Sequence, residues 1–290
     1  GKRHDLPLIN ILDERAHINL PGAYFGQHVR DARQAVVADL KTQGLLVKVE
    51  DHAHSVGHCQ RSGAVVEPRL SLQWFVSTKP LAEKAIKATR SGETQIVPKR
   101  FEATWYHWME NIQDWCISRQ LWWGHRIPAW HAQGQVFVAR TVADAAEQAK
   151  NAGIDPSELV QDEDVLDTWF SSGLWPMGTL GWPEKTPSLD KFYPTDVLET
   201  GHDILFFWVA RMMMMGIHFT GKAPFHTIFL HGMVRDELGQ KMSKTKENVV
   251  DPVDITNDYG ADALRLGLLL MAAPGRDIKL SIKRIEGYRN

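Results

Sequence analysis

The sequence predicts an α/β protein whose parallel β-sheet holds a ligand at the carboxyl ends of its strands. Two short segments, at 195–201 and 225–232, suit strands, and the apolar run between them suits a helix. A glycine beside polar residues ends each short segment. With 290 residues, 43% of them apolar, the chain can bury a large core, and its length favours more than one domain.

The two predicted strands and the predicted helix between them form one unit. TDVLETG at 195–201 and FHTIFLHG at 225–232 predict strands, Asp203 to Ile217 predicts a helix, and Gly-Lys-Ala-Pro turns after the helix. Strands joined by a crossover helix run parallel. Ligands of such sheets bind beyond the carboxyl ends of the strands, where glycine lets a base or ribose approach the main chain. Gly201 and Gly232 therefore mark a candidate nucleotide site.

Three other segments carry a helical pattern. Residues 28–46 predict a helix with Gly44 as its stop, and residues 141–153 predict a polar surface helix in an insertion. A third helix begins near 101, and we interpret it as core-facing rather than as a platform for stacking bases. Its apolar face would hold Trp105, Trp108, Met109, Ile112, Trp115 and Cys116.

Charge and cysteine content limit the classes of function. The 33 basic and 35 acidic residues leave a net charge of −2, so a nucleic-acid partner must meet local basic patches. Cys59 and Cys116 give no disulfide framework and fit a reducing, cytosolic setting. The apolar stretch 204–219 contains Arg211 and is shorter than the roughly 20 residues that span a bilayer, so it predicts a buried helix and no membrane partner.

A lysine-rich loop, GQKMSKTKENVVDP at 239–252, follows the second predicted strand. Such a loop taken alone is most simply a solvated surface segment. Its place shortly after the strand end changes this interpretation, because it would hang over the candidate nucleotide site. We therefore expect it to contact phosphate.

At these segments the chain resembles the class I aminoacyl-tRNA synthetases. HGMVRDELGQKMSKTKENVVDP (231–252) resembles their Lys-Met-Ser-Lys-Ser signature loop, and DWCISRQLWWGHRIPAW (114–130) resembles the segment that re-enters the catalytic domain in the valyl, isoleucyl and leucyl subgroup. DTWFSSGLWPMGTLGWP (167–183) and TGHDILFFWVARM (200–212) most resemble the valyl members. Thr245 replaces the usual final serine of the signature, and Glu247 stands where the family usually has glycine before Asn248.

The resemblance runs the length of the chain and implies its organisation. It implies the second half of a Rossmann-type parallel-sheet catalytic domain, joined to the C-terminal part of a β-rich editing insertion. We expect 1–55 to end the editing (connective peptide) domain, 56–238 to form the half-domain with an insertion, and 239–290 to hold the signature loop and the start of the stem-contact region. The family's His-x-Gly-His signature and editing aspartate are missing. We therefore expect an internal fragment that is inactive without the N-terminal half-site and the anticodon-binding domain of the same polypeptide.

The resemblance also implies the chemistry. In the family the carboxylate of the amino acid attacks the α-phosphorus of ATP, so the site must stabilise phosphate charge rather than supply a strong base. Lys244 and Lys241 are the expected catalytic residues, and Mg²⁺ would bind through the phosphates. No zinc is expected, because Cys59 has Ser62 where some relatives carry a second cysteine. The expected ATP-binding residues are Gly201, Asp203, His231, Gly232, Met233, Val234, Lys241, Met242, Ser243, Lys244 and Thr245.

An amino-acid pocket is implied by three apolar residues. Ile204 and Trp208 lie four residues apart and would share a helix face, and Trp169 would complete a small apolar box. Ordinary core packing is the alternative for these residues. The implied function is activation of valine to valyl-adenylate with ATP and transfer to tRNA(Val) in the cytoplasm. Isoleucine-tRNA ligase and a non-catalytic RNA-binding paralogue that kept the fold are the two alternatives.

Overall fold

The computed structural model describes residues 1–59, 62–243 and 247–290. The chain forms two compact units, Gly1–Leu72 and Gln73–Asn290. The first unit contains helix α1, and the second contains the parallel sheet that the sequence predicts.

Helix α1 (Val29–Thr42) organises the first unit and follows a 3₁₀ turn at Lys2–His4. Gly44 adopts φ +70° just after the helix, which confirms the predicted stop, since this conformation favours glycine. Val36 and Val37 are exposed on the helix. In the described part of this unit, strand pairing is limited to isolated bridges. Its assignment to an editing insertion stays a prediction.

The second unit contains the other regular elements of the described chain. Its strands are β1 (Phe75–Val76), β2 (Gln95–Val97), β3 (Trp115–Cys116), β4 (Ser118–Arg119), β5 (Ala129–Ala132), β6 (Gln135–Val138), β7 (Val160–Gln161), β8 (Val165–Leu166), β9 (Thr195–Gly201), β10 (Phe225–His231), β11 (Val234–Arg235) and β12 (Ile278–Lys279). Its helices are α2 (Lys79–Arg90), α3 (Phe101–Glu110), α4 (Val142–Asn151), α5 (Thr168–Ser172), α6 (Trp175–Gly178), α7 (Pro187–Phe192), α8 (Ala210–Thr220), α9 (Pro252–Tyr259), α10 (Ala261–Met271) and α11 (Ile282–Arg289).

A three-stranded parallel sheet, in the order β2-β10-β9, lies at the centre of this unit. Ile228 of β10 pairs with Ile96 on one side and Leu198 on the other, and all three side chains are buried. The parallel pairing of β9 with β10 confirms the predicted strand-helix-strand unit. β2 adds a third strand that the sequence analysis did not identify.

Helices α2, α3 and α8 cover the sheet with an apolar core. Trp105 and Met109 of α3 are fully buried there, which confirms the core-facing interpretation of the tryptophan-rich helix. Alanines of α2 and methionines of α8 fill the space between helices and strands. Methionine suits this role because its unbranched side chain adapts to irregular gaps.

The tryptophan-rich helix is shorter than predicted. α3 ends at Glu110, and Asn111 leaves the helical conformation with φ −108° and ψ 17°. Trp115 and Cys116, which the pattern placed on the same helix, form strand β3 and pair with Val76 and Phe75. The apolar period continued past the helix end by coincidence, because a non-local strand pairing is invisible to a local period.

The crossover helix between β9 and β10 is irregular, whereas the sequence predicted one α-helix from Asp203 to Ile217. A 3₁₀ turn (His202–Ile204) leads into a π-helical segment (Leu205–Val209), and only then does α8 begin. The whole stretch His202–Thr220 has the length and composition of a membrane span. However, Met212 to Met215 are buried in the core of the unit, as expected for a buried helix.

Between α3 and the crossover lies a small subdomain. Strands β6, β5 and β7 form an antiparallel sheet, and α4 packs on it through Ala145 and Ala149. Thr141 and Asp144 cap α4 reciprocally, which accounts for the predicted helix start. Strands β1 and β3, and β4 and β8, pair separately.

The C-terminal segment forms a third cluster within the second unit. α9, α10 and α11 pack around Ile255, Ala263 and Ile285. Strand β12 returns to pair in parallel with β11, which follows the end of β10. The C-terminal segment therefore reaches the carboxyl edge of the main sheet.

Candidate functional site

The carboxyl ends of β9 and β10 lie side by side. Gly201, the last residue of β9, pairs with His231, the last residue of β10. Gly201 is buried, and a Cβ atom on it would lie 2.8 Å from Oδ1 of Asp203 and 2.9 Å from the sulfur of Met233. The two predicted ATP-binding segments therefore contact each other at this position, where an added side chain would have to displace Asp203 and Met233.

The lysine loop begins beside these strand ends. Nζ of Lys241 lies 3.0 Å from Oδ2 of Asp203, and Lys241 forms an antiparallel bridge with Arg235. The lysine side chain is 66% exposed. Such an exposed ion pair contributes at most about 1 kcal/mol, so an anionic ligand could displace Asp203 from the ammonium at little cost.

Asn248 holds the described part of the loop, a role that the sequence analysis did not identify. Its side-chain oxygen accepts from the Ser243 amide at 2.9 Å, and its Nδ2 donates to Asp236 at 2.8 Å and to the Lys241 carbonyl at 3.3 Å. The hydrogen bond from Asn248, followed by main-chain amides, lowers the pKa of Asp236. Asp236 also accepts from the Gln240 amide.

Two of the expected loop residues, Lys244 and Thr245, lie outside the described residues. Glu247, on the far side of that gap, adopts φ +54°. This left-handed conformation favours glycine, the usual residue of the family at this position. Met242 and Ser243 are both half-buried.

Gly232 has a different neighbour from the one that the sequence suggested. A Cβ atom on Gly232 would overlap the carbonyl group of Arg276, so the main chain of the C-terminal segment occupies the space beside it. The Met233 amide donates to Asp277 at 2.9 Å, and the Met233 carbonyl accepts from Ile278 at 2.8 Å. The glycine is thus required by close packing within the protein, whatever approaches from outside. The ring of His231 lies over the same turn, with Nδ1 2.8 Å from the Gly232 carbonyl oxygen.

The three expected amino-acid contacts lie on neighbouring elements. Trp208 donates through Nε1 to the Ser172 carbonyl at 3.0 Å and lines a cavity of about 400 Å³ together with Trp175. Trp169 stacks on Phe207, with 6.1 Å between ring centroids. Ile204 is half-buried at the junction of the 3₁₀ turn and the π-helical segment, so the expected α-helical spacing to Trp208 does not apply. Their grouping into one pocket stays a prediction.

A charged cluster around the buried Asp167 supports the segment that carries Trp169. Asp167 accepts from the Trp169 amide at 3.0 Å and from Arg119 at 2.7 Å. Arg211 lies 3.7 Å from Asp167 and 3.8 Å from the ring centroid of Trp115. Burial lowers the pKa of Arg211, which Asp167 opposes. The sequence analysis treated Arg211 only as a charge within an apolar run and missed this partner.

The described residues contain no group of three His, Cys, Asp or Glu side chains arranged to hold a metal ion. Cys59 is exposed at the position where some relatives carry a zinc knuckle. Gln60 and Arg61 lie outside the described residues, and the absence of zinc stays a prediction.

Residues 21–281 match the model of the family described as tRNA synthetases class I (I, L, M and V). The chain belongs to this family. Among its relatives are the valine–tRNA ligases of Geobacter sulfurreducens, 55% identical over 293 residues, and of Thermotoga maritima, 52% identical over 292 residues. Each alignment covers 100% of this chain but only 32% and 33% of the relative, respectively. The chain thus spans about a third of the length of these relatives.

Solved structures of the family share the fold. A Mycobacterium tuberculosis methionyl-tRNA synthetase in complex with methionyl-adenylate matches 79% of this chain and 39% of its own, with a TM-score of 0.57 at 21% identity. The leucyl enzyme of Agrobacterium radiobacter K84, in a ternary complex with tRNA and LeuAMS, matches 61% of this chain and 27% of its own, with a TM-score of 0.50 at 23% identity. These likenesses confirm the class I catalytic fold.

Proposed function

We propose that this chain is part of a valine–tRNA ligase, which activates valine with ATP and transfers the valyl group to tRNA(Val) in the cytoplasm. The observation that carries the proposal is the 55% identity, over the whole chain, to relatives that bear this name. The ion pair between Lys241 and Asp203 supports it, because it brings an ammonium group to the carboxyl ends of β9 and β10. The rest of the site would come from other parts of the longer polypeptide.

In the proposed first step, a carboxylate oxygen of valine attacks the α-phosphorus of MgATP. The bond from that phosphorus to the bridging oxygen breaks, and pyrophosphate leaves. No base is needed, because the carboxylate is already ionised at neutral pH. In the second step a ribose hydroxyl at the 3′ end of tRNA attacks the carbonyl carbon of valyl-adenylate and releases AMP.

The lysines would stabilise charge that grows on the phosphates during the first step. Lys244 is our first choice for the transition-state contact and Lys241 the second. Mg²⁺ would enter as part of the MgATP substrate and offset charge on its phosphates. Asp203 and Gly201 would hold the ribose or the substrate ammonium group. Displacement of Lys241 from Asp203 would free both charged groups for these roles.

The adenine would lie against the turn that follows β10. His231, Gly232, Met233 and Val234 form this turn. The Met233 amide already donates to Asp277, so this turn must recognise adenine through other groups. The half-buried ring of His231 and the side chain of Met233 offer an apolar surface for this purpose.

The decisive test is ATP–pyrophosphate exchange by the full-length polypeptide that contains this chain. Valine-dependent exchange well above isoleucine-dependent exchange is expected. Preference for isoleucine would favour the isoleucyl alternative, and no exchange with either would favour the non-catalytic paralogue. Lys244→Ala should slow adenylate formation and leave the dissociation constant of valine nearly unchanged, because the ammonium acts on the transition state. Loss of valine binding with an unchanged rate would assign Lys244 another role.

The pocket assignment is tested by Ile204→Ala. Removal of two to three methylenes should let isoleucine fill the space and gain about 2 kcal/mol relative to valine, or about 30-fold in discrimination. The measurement is exchange with valine and isoleucine, with the editing reaction inactivated. Val138→Ala is the matched control, since Val138 is exposed on β6 and does not line the cavity beside Trp208. An unchanged ratio would identify Ile204 as ordinary packing.

A further inference from the structure

The segment Ala273–Asp277 crosses the carboxyl edge of the main sheet. Ala273 and Arg276 form a bridge that closes its turn, and Gly275 lies at the turn with φ +66°. The Arg276 carbonyl sits where a side chain of Gly232 would be. This contact brings the next residue, Asp277, close to the strand ends.

The Asp277 carboxylate accepts from three donors that belong to two different strand ends. Nε2 of His202, just after β9, lies 2.8 Å from Oδ1. The Met233 amide, just after β10, donates to the same oxygen at 2.9 Å, and Nε of Arg235 donates to Oδ2. One carboxylate therefore joins the loop after β9 to the loop after β10.

The third strand end is linked to the same point. Phe101, the first residue of α3 shortly after β2, stacks on the ring of His202 with 5.5 Å between centroids and 21° between planes. A Cβ atom on Gly275 would lie 2.8 Å from the ring of Phe101 and 2.8 Å from the guanidinium of Arg100. The crossing segment thus packs against residues that follow all three parallel strands.

The carboxylate keeps its charge in this setting. Burial acts to raise the pKa of Asp277, but the Met233 amide, His202 and Arg235 outweigh it and hold that pKa far below its ordinary value. An ionised carboxylate only accepts hydrogen bonds, so the nitrogen of His202 that faces it carries a proton. Hydrogen bonds to a charged acceptor are about twice as strong as neutral ones, which suits a junction of three loops.

We propose that Asp277 is a positioning residue that fixes the two ATP-binding loops relative to each other, acting through His202 and Met233 without touching ATP. This inference rests on the proposed function, because the loops after β9 and β10 are those expected to hold the ribose and the adenine. Asp277 differs from Asp203, whose carboxylate faces Lys241. Asp277 joins the loop after β9 to the loop after β10, whereas Asp203 contacts the lysine loop.

The test is Asp277→Asn in the full-length polypeptide, which keeps the shape of the side chain and removes its charge. The KM for ATP in exchange should rise by about 10- to 100-fold, since the three charge-assisted hydrogen bonds to this carboxylate weaken. The KM for valine should rise by a smaller factor, because two of the three expected pocket residues, Trp169 and Trp208, lie on other elements. Asp262→Asn is the matched control: its side chain is 102% exposed, and it should leave both constants unchanged.

A double variant shows whether the effect passes through His202. His202→Leu removes the donor and should raise the KM for ATP by a smaller factor than Asp277→Asn. The double variant should raise it by less than the product of the two single factors, because both changes remove the same hydrogen bond. Full multiplication would overturn the proposed path through His202. An unchanged KM for ATP in Asp277→Asn, or an equal rise for ATP and valine together with a lower melting temperature, would overturn the proposal itself.

Direct ATP binding separates this inference from the proposed function. If the full-length polypeptide lacks valine-dependent exchange yet binds ATP, and Asp277→Asn weakens that binding by tenfold or more, the proposed function fails and the positioning role stands. If the wild type exchanges with valine and Asp277→Asn binds ATP as well as it does, only the positioning role fails. Absence of ATP binding by the wild type would overturn both.

Discussion

Gly232→Ala tests whether this glycine serves packing inside the protein or access for a ligand. The added methyl group would overlap the Arg276 carbonyl, which belongs to main chain and cannot rotate away. The crossing segment must shift, and such overpacking costs about 1–3 kcal/mol. In a unit of the size of Gln73–Asn290, this cost lowers the melting temperature by about 2–12 °C.

The control is the same substitution where the structure has room. Gly287 lies exposed on α11 with no atom within 4 Å of an added Cβ. Gly287→Ala should stabilise the helix by about 0.5–1 kcal/mol, because alanine loses less backbone freedom, and raise the melting temperature by about 1–4 °C. Thermal unfolding followed by circular dichroism measures both variants. A Gly232→Ala variant that melts with the wild type but no longer binds ATP would refute the packing argument and restore ligand access as the reason for the glycine.

Four further outcomes are expected. Ile228→Ala should cost about 2–5 kcal/mol in urea unfolding, because Ile228 is fully buried in the central strand, whereas Val197→Ala on the exposed face of β9 should cost under about 1 kcal/mol. Asp277→Asn should lessen the loss of folding stability below about pH 4. The native pKa of Asp277 is lowered, so its carboxylate stabilises the fold above the unfolded pKa and loses this effect as pH falls. Equal slopes of unfolding free energy against pH in the variant and the wild type would contradict this. Asn248→Ala should speed tryptic cleavage after Lys241 by about 5- to 150-fold, because the hydrogen bonds from Asn248 to the loop are lost. Asn257→Ala, on the exposed face of α9, is the control. Glu247→Gly should slow the same cleavage, since glycine adopts φ +54° without steric strain, and faster cleavage would count against that strain.

Local patterns were sufficient for the parts of the fold whose causes are local. Strands β9 and β10 could be predicted from residues within each strand and from the glycine at its end. The end of α1 follows from Gly44, and the start of α4 follows from Thr141. β2 is three residues long and exists because Thr227 to Phe229 pair with it, so no local pattern could reveal it. The same reason explains why β3 was mistaken for a continuation of α3.

The site divides in the same way. The approach of Lys241 to Asp203 could be expected, because parallel strands bring their carboxyl ends together and the lysine loop follows one of them. Asp277 and the partner of Arg211 could not, since each contact joins residues far apart in the sequence and no local pattern shows which side chains meet. Asn248 stood in the recognised signature, but its role depends on Asp236 and on the shape of a loop that only the fold defines.

The crossover helix between β9 and β10 was predicted in the right place but with the wrong helical geometry at its start. Leu205, Val209, Ala210 and Met212 to Met215 are buried in one helical stretch, as the composition indicated, although Phe207 within it is exposed. The wider turn of its π-helical start changes which side chains share a face, and composition does not encode that change. π-helical segments recur at functional sites; this one begins two residues after Asp203, which contacts Lys241, and contains Trp208, an expected pocket wall. The irregularity therefore lies where the polar and the apolar parts of the proposed site meet, and it includes the residue whose Nε1 donates to the Ser172 carbonyl.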